Sequence, residues 1–150
     1  MKKTEFESMS RETTAKIAYD FASCLEDGDI VRLHGDIGVG KTVFVSGVCK
    51  FFGCEEYVCS PTFAIMNEYR GSKTIYHFDL YRLESADELY DAGLFEYIGG
   101  GGISFIEWPD VCDDYEGRKI YDVTIEKNLD INEDFRKITI VEGNHENSCY

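Results

Sequence analysis

Residues 35–42, with the sequence GDIGVGKT, have the G-x-x-x-x-G-K-[ST] spacing of a loop that binds nucleotide phosphates. Small residues let successive backbone N–H groups converge on phosphate oxygens, and a helix that follows adds the positive end of its dipole. Lys41 is then expected to bridge the β- and γ-phosphates, and the Thr42 hydroxyl to ligate Mg²⁺. The alternative is a chance match in a glycine-rich chain. The residues expected to bind the nucleotide are Gly35, Gly38, Val39, Gly40, Lys41, Thr42 and Val43.

Phosphoryl chemistry also needs carboxylates, and two acidic residues are candidates. Glu107 ends the apolar run ISFIE, so it is expected at the carboxyl end of a buried strand, beside the metal. Asp79 lies between aromatic residues in YHFDLYR, where burial of its charge requires a cation or hydrogen bonds. The alternatives are an ordinary surface acid at the end of a strand for Glu107, and an exposed hairpin acid for Asp79.

Four neighbouring residues carry weaker signals. Thr62, in the segment SPTF, either reaches the γ-phosphate or Mg²⁺ as a switch residue or is an ordinary threonine at the start of a strand. Trp108 either covers the nucleotide site or packs in the interior. His77 is interpreted as a structural histidine rather than an acid or base. For Arg82, an ion pair with a nearby acid is favoured over a contact with phosphate or with a partner protein.

The elements that position these residues follow from the spacing of apolar residues. Steps of four predict a helix over about residues 11–26, with Ser10 as its N-cap and Gly28 at its end. The run DIVRLHG predicts a buried strand ahead of the loop. Helical spacing from Lys41 predicts a helix that stops at Gly53.

The second half of the chain reads mainly as strands. SPTFAIMNEYR and TIYHFDLYR, joined by Gly-Ser at 71–72, predict an antiparallel hairpin. Ser85 and Glu88 have the spacing of a capping box at the start of a short helix. The glycines at 99–102 predict a flexible break before the strand ISFIEW. RKIYDVTIEK and FRKITIVEG predict two last strands joined by an acidic loop, with a frayed tail over 143–150.

Composition limits the functional class. A chain of 150 residues predicts one domain over residues 1–150, and the fractions of 43% apolar and 29% charged residues fit a soluble globular protein. The net charge of −14 argues against direct binding of nucleic acid, which usually needs a basic patch. No apolar run approaches the roughly 20 residues of a membrane span, and the N-terminus lacks the apolar stretch of a secretory signal. A cytoplasmic protein is expected.

The six cysteines are expected to be reduced thiols. They form no C-x-x-C pair, and the spacing of five between Cys49, Cys54 and Cys59 fits no zinc site. Disulfides are not expected in a core-forming chain without a secretory signal.

Four segments in this order resemble one protein family: GDIGVGKT, SPTFAIMNEY, YHFDLYRL with DELYDAGL, and ISFIEWPD. The chain is similar, from about residue 10 to residue 110 and weakly beyond, to the bacterial tRNA threonylcarbamoyladenosine biosynthesis ATPases of the TsaE family. The phosphate loop alone is generic, whereas HFDLYR and IEWP are specific. The resemblance implies an α/β P-loop NTPase fold with three layers, in which a central mixed sheet lies between helices.

The resemblance also implies an activity and partners. It implies slow hydrolysis of ATP to ADP with Mg²⁺, alongside two larger proteins, TsaB and TsaD. Together they place threonylcarbamoyl on adenosine 37 of ANN-decoding tRNAs, with TsaD performing the transfer and the small ATPase resetting the complex between turnovers. The tRNA is then contacted only through the partners, with no role for DNA or a membrane.

Site residues carry over by motif. The resemblance assigns Lys41 and Thr42 to phosphate and metal, Glu107 to the metal, and Asp79 to the attacking water or the metal shell. It makes Asp79, Glu107 and Lys41 the catalytic set, and it places Thr62 in a switch-like segment and Trp108 near the site. The residues that contact adenine are not evident, although the resemblance points to the start of the first helix, near 10–14.

Position 43 departs from the family pattern, which has a second threonine where this chain has Val43. Its backbone N–H can still reach the α-phosphate, but no side-chain hydroxyl can. We expect Val43→Thr to tighten ADP binding by about 1 kcal/mol, the contribution of one hydrogen bond. Isothermal calorimetry checks this, and an unchanged affinity contradicts it.

Two other functions use the same loop. A small-molecule kinase normally presents arginines from a mobile lid, and the arginines of this chain are not paired in any lid-like segment. A nucleotide-binding module without catalysis has no use for Asp79 and Glu107. Because no arginine finger is evident in the sequence, turnover by the isolated protein is expected to be very slow.

Overall fold

A mixed sheet of seven strands forms the centre of the computed structural model, which describes residues 2–61, 65–109 and 119–144. Its strands are β1 (Lys2–Ser8), β2 (Ile30–His34), β3 (Met66–Arg70), β4 (Thr74–Asp79), β5 (Ile103–Glu107), β6 (Lys119–Asn128) and β7 (Asn132–Asn144). The helices are α1 (Arg11–Ala22), α2 (Lys41–Phe51) and α3 (Asp87–Asp91), with a 3₁₀ turn at Phe95–Tyr97. Within the described ranges, no helix combines the length and the apolar character needed to cross a membrane.

The strand order brings the sequence motifs to one edge of the sheet. The order is β1-β7-β6-β2-β5-β4-β3, with parallel pairing from β6 through β2 and β5 to β4 and antiparallel pairing at both ends. The carboxyl ends of β2, β5 and β4 therefore lie side by side. These ends carry the loop that follows β2, the Glu107 side chain and the Asp79 side chain. In open α/β sheets, ligands bind at the carboxyl ends of the strands.

Each face of the sheet packs against its own helices. Val31 and Leu33 of β2 join the core beneath α1 and α2, together with Phe44 of α2. Ile30 faces the other way, into a second core that includes Leu89 of α3. This alternation is the strand period of two, and it confirms the expected three-layer α/β architecture.

Gly47 lies where α2 approaches α1. A Cβ atom at this position would meet the Ala15 carbonyl oxygen at 2.3 Å and the Ala18 Cβ at 2.9 Å. Alanine is normally about 1 kcal/mol better than glycine inside a helix. Here we expect Gly47→Ala to lower the free energy of unfolding by about 1–3 kcal/mol, because the helices must separate. Urea unfolding measures it, with Ser46→Ala as a neighbouring control that adds no atom, and a stabilised Gly47→Ala protein contradicts the close approach.

Most predicted elements are confirmed, with shifted ends. Ser10 caps α1 by accepting the N–H of Thr13 at 3.1 Å, but the helix ends at Ala22 rather than near 26. The N–H of Leu25 turns back to the Ala22 carbonyl at 3.1 Å, which breaks the helical ladder. Gly28 does not close the helix, since its N–H donates to Gly102. The strand before the loop, the helix from Lys41 and the β3–β4 hairpin are as predicted.

The predicted capping box at Ser85 is wrong. Helix α3 has Ala86 as its N-cap residue, with no side-chain cap. The Glu88 carboxylate instead accepts the N–H of Glu84 at 2.8 Å, because the helix begins two residues after Ser85.

Other differences lie at glycines and at the ends of the chain. The break at 99–102 is confirmed as irregular, but Gly102 in it is buried, and a Cβ there would meet the Thr74 carbonyl oxygen at 2.6 Å. Strand β1 was not predicted. Gly143 and Asn144 belong to β7 and not to a frayed tail, while residues 145–150 lie outside the described part of the chain.

The described cysteines agree with the expectation of reduced thiols. Cys24, Cys49, Cys54 and Cys59 are all free. Burial is the main cause that raises the pKa of the first three of these thiols, so their reactive thiolate form is scarce. The other two cysteines, at 112 and 149, lie outside the described residues.

Candidate nucleotide site

The loop between β2 and α2 needs glycine at three positions. Gly35, Gly38 and Gly40 have φ angles of 143°, 81° and 115°, in the region that side-chain-bearing residues rarely adopt. A Cβ atom on Gly35 would also lie 2.6 Å from the Ile125 carbonyl oxygen of β6. The spacing seen in the sequence is therefore the one that this backbone path requires.

Lys41, the first residue of α2, points back across the loop. Its Nζ donates to the Gly35 carbonyl oxygen at 2.8 Å and lies 3.7 Å from Oε1 of Glu107. The same ammonium lies 4.4 Å from the centroid of the Trp108 ring, a cation–π distance. Only 6% of the residue is exposed, so these contacts compensate a buried charge.

Glu107 lies between two cationic or donor groups. It is 4% exposed, and its Oε2 lies 2.5 Å from Nε2 of His77, which is fully buried. Strand alternation on β5 and β4 directs both side chains toward the face that α2 covers. The pairing of Nε2 with a carboxylate indicates that His77 donates from this nitrogen. Its Nδ1 is buried and has no hydrogen-bond partner within the described part of the chain.

Asp79 is the register partner of Glu107 on the adjacent strand. Its Oδ1 accepts the N–H of Tyr81 at 3.0 Å, and its Oδ2 accepts the Ser60 hydroxyl at 3.3 Å. The charge of this half-buried carboxylate is therefore met by hydrogen bonds, which is one of the two solutions that the sequence required. Arg82 is exposed and makes no ion pair among the described residues, contrary to the interpretation favoured above.

Ser60 was missed by the sequence reasoning. Thr62, the proposed switch residue, lies outside the described residues. The segment just before it is held against the β3–β4 hairpin, where the Tyr69 hydroxyl donates to the Cys59 carbonyl oxygen at 2.9 Å. This contact brings Ser60 to Asp79. Within the motif SPTF, the hydroxyl that the structure describes at the site is therefore that of Ser60.

Trp108 combines an unusual backbone with a position over the lysine. With φ 58°, it is the only non-glycine residue with positive φ among the residues described. Its ring lies 4.9 Å from the ring of Tyr81 and directly against Lys41. Left-handed backbone at a bulky residue is uncommon and often marks a functional site. Trp108 also packs against the second core, so its ring combines interior packing with the contact to Lys41, and a role in covering the nucleotide stays a prediction.

A charged cluster supports β2 just before the loop. Arg32 binds Asp122 of β6 through two donors at 2.7 Å each, and His34 Nε2 lies 2.7 Å from the same carboxylate. Burial by itself would raise the pKa of Asp122, but the hydrogen bonds from His34 and Arg32 outweigh it and hold this pKa below its usual range. The cluster links β2 to β6 on the face opposite Lys41.

The donor chemistry fits a magnesium ion that is held largely by a bound phosphate. Thr42, half-buried in the first turn of α2, supplies a hydroxyl, and Glu107 and Asp79 supply carboxylates at the neighbouring strand ends. No group of three or more metal-binding side chains occurs within residues 2–61, 65–109 and 119–144. Mg²⁺ suits such a site because it uses one or two carboxylates and completes its shell with phosphate oxygens and water.

Comparisons with known proteins agree with the fold and with the family resemblance of the motifs. The model of the family described as "Threonylcarbamoyl adenosine biosynthesis protein TsaE" matches residues 8–138. A protein of Rickettsia conorii named tRNA threonylcarbamoyladenosine biosynthesis protein TsaE is 40% identical over 141 residues, covering 93% of this chain and 78% of its own. A Bacillus subtilis protein of the same name is 36% identical over 140 residues, covering 93% and 85%.

A solved structure adds the fold. The crystal structure of YdiB from Bacillus subtilis superimposes with a TM-score of 0.74 at 29% identity, covering 93% of this chain and 84% of that one. The expected P-loop NTPase architecture and the resemblance of the motifs therefore lead to the same assignment: the chain belongs to the TsaE family of threonylcarbamoyl adenosine biosynthesis proteins.

Proposed function

We propose that the protein binds ATP with Mg²⁺ and hydrolyses it slowly in support of tRNA threonylcarbamoyladenosine formation. In this proposal it acts with the partners TsaB and TsaD and resets their complex between turnovers. The observation that carries the proposal is the buried contact between Lys41 and Glu107 at the glycine loop. Family membership supports the role in tRNA modification. The geometry of the site supports the proposed binding and hydrolysis of a nucleotide.

Phosphate binding falls to the loop and to Lys41. Backbone N–H groups of residues 35–42 surround the β-phosphate, with the start of α2 adding its positive end. Lys41, which donates to the Gly35 carbonyl beside the Trp108 ring, would donate to phosphate oxygens when a nucleotide is bound. Since the lysine already lies in the loop and is compensated there, it needs no change of side-chain direction to meet the nucleotide.

The carboxylates serve the metal and the water. Mg²⁺, when bound with ATP, supplies neutralisation of charge on the transferred phosphoryl group. Thr42 and Glu107 would hold the ion, and His77 fixes the orientation of the Glu107 carboxylate. Asp79, fixed by Ser60 and the Tyr81 N–H, orients the attacking water.

Partners supply what the isolated site lacks. The net charge of −14 makes direct contact with tRNA unfavourable, so we assign the tRNA to the partners and the protein to the cytoplasm with them. Among the arginines that the structure describes, Arg136 reaches the loop, but its guanidinium donates to carbonyl oxygens and is not available as a catalytic finger. Slow turnover alone and faster turnover in the complex follow from this arrangement.

Phosphate release from Mg-ATP tests the proposal. The purified protein is assayed alone, with TsaB and TsaD, and with EDTA. Release that rises with both partners and is abolished by EDTA supports an ATP-driven factor of their complex. Release that does not depend on the partners indicates a different P-loop enzyme, and no release under any condition favours a nucleotide-binding module without catalysis. A kinase is recognised by a stoichiometric phosphorylated product when small-molecule acceptors are added.

A further inference from the structure

Arg136 joins the last strand to the phosphate loop. Its Nε donates to the Val39 carbonyl oxygen at 2.7 Å, across 97 residues of sequence. Its Nη1 donates to the carbonyl oxygens of Glu133 at 2.9 Å and Phe135 at 2.8 Å. The guanidinium is half-buried and is therefore fixed by β7 at one side and by the loop at the other.

The bond to Val39 determines the direction of the next N–H group. The peptide unit between Val39 and Gly40 is planar and trans, since no cis peptide occurs among the described residues. In such a unit the C=O and N–H bonds point in opposite directions. Because the Val39 carbonyl points toward Arg136, the Gly40 N–H points away from Arg136.

This peptide unit has little else to fix it. Gly40 has φ 115° and ψ 20°, and no atom lies within 4 Å of the position that its Cβ would take. Glycine on one side of a peptide leaves rotation of that unit nearly free. Val39 is held differently, since its side chain is buried against the loop beside Gly35. The anchor that orients the 39–40 peptide is thus the carbonyl contact.

We propose that Arg136 is a positioning residue for nucleotide binding, which fixes the 39–40 peptide so that the Gly40 N–H donates to the β-phosphate. The inference rests on the proposed function, because it needs a nucleotide in the loop. Arginine suits the task better than lysine, since its planar fork of donors reaches the loop and both carbonyls of β7 at once. The guanidinium of Arg136 donates to backbone carbonyl oxygens, so the role assigned to it is a positional one.

Calorimetry with ADP, and displacement of a fluorescent ADP by AMP, test the inference. We compare the wild-type protein with Arg136→Gln, Arg136→Lys and the control Arg70→Gln, which removes the same charge from the exposed end of β3. The expected result for Arg136→Gln is a loss of ADP affinity of about ten-fold, the effect of one hydrogen bond to a charged group. AMP affinity stays unchanged because AMP has no β-phosphate, Arg136→Lys restores part of the loss, and Arg70→Gln has no effect.

Several outcomes overturn the inference and one concerns the proposed function instead. Equal ADP affinity in the wild type and both Arg136 variants overturns it, as does an equal loss for ADP and AMP, which indicates a structural role. If Arg136→Gln fails to fold, Arg136→Lys and the ¹⁵N-edited amide signal of Gly40 decide, since the anchor predicts that this signal shifts in the variant. A wild-type protein that binds no ADP contradicts the proposed function.

Discussion

Glu107→Gln is expected to lower phosphate release from Mg-ATP by about 100-fold, as for the removal of one preorganised charged group at a reaction centre. The variant keeps the shape of the side chain but removes the charge that faces both Lys41 and the proposed metal. Phosphate release is measured with TsaB and TsaD present. ADP affinity in the variant should no longer depend on added Mg²⁺, whereas that of the wild type should.

The control separates this effect from loss of folding. Removing one partner of a buried ion pair is destabilising, because Lys41 then keeps only the Gly35 carbonyl. Thermal unfolding of each protein is therefore recorded, and activity is compared well below the lower midpoint. Glu126→Gln makes the same chemical change at an exposed position of β6 and should leave phosphate release unchanged. If folded Glu107→Gln releases phosphate as fast as the wild type does, Glu107 is not a ligand of the proposed metal.

His77→Leu is expected to have the second largest effect. Leucine fills much of the space but leaves the buried Glu107 carboxylate without its 2.5 Å donor. We expect the free energy of unfolding to fall by about 1–3 kcal/mol. Phosphate release should fall by about 10- to 100-fold, because a ligand that has lost its supporting hydrogen bond is poorly oriented. Urea unfolding and the phosphate assay measure the two effects.

His77→Gln separates the hydrogen bond from the packing. The glutamine Nε2 can take the place of the histidine Nε2 and donate to Glu107, although glutamine does not reproduce the shape of the imidazole ring. Recovery of most of the lost activity in His77→Gln supports orientation of the carboxylate. If both variants are equally inactive while their stabilities differ, the imidazole itself is needed, and the positioning role is wrong.

The parts of this protein that sequence predicts well are those whose cause is local. The three glycines of the loop are required by their own φ angles, so the motif can be recognised in the sequence without knowledge of any tertiary contact. The alternation on β2 and the apolar run of β5 are equally local, and the apolar run correctly places Glu107 at a buried strand end. Ser10 caps the helix three residues ahead, which is again a contact within one turn.

The missed features depend on distant partners. Strand β1 is polar and mostly exposed, so its seven residues show no apolar pattern, and it exists because β7 pairs with it. The bond between His77 and Glu107 joins residues 30 apart, and nothing in the sequence YHF indicates that the ring meets a carboxylate. Predicting contacts of this kind from the sequence would require knowledge of which strand residues lie opposite one another.

The capping box shows the opposite error. Ser85 and Glu88 have the correct residue types and spacing, yet the helix begins at Asp87. Serine and acidic residues also form local turns outside helices, and Glu88 caps the Glu84 N–H in such a turn. A short pattern with two equally good local solutions cannot be resolved without its tertiary surroundings.

The position of β7 has a consequence for synthesis of the protein. A ribosome releases the phosphate loop long before the strand that anchors it, since Val39 and Arg136 are 97 residues apart. Strand β1, the first to emerge, waits longer still, since Ser8 pairs with Arg136 and Lys2 with Glu142 of β7. A nascent or prematurely terminated chain therefore lacks the complete loop support, and a nucleotide bound as proposed would stabilise only chains that already include β7.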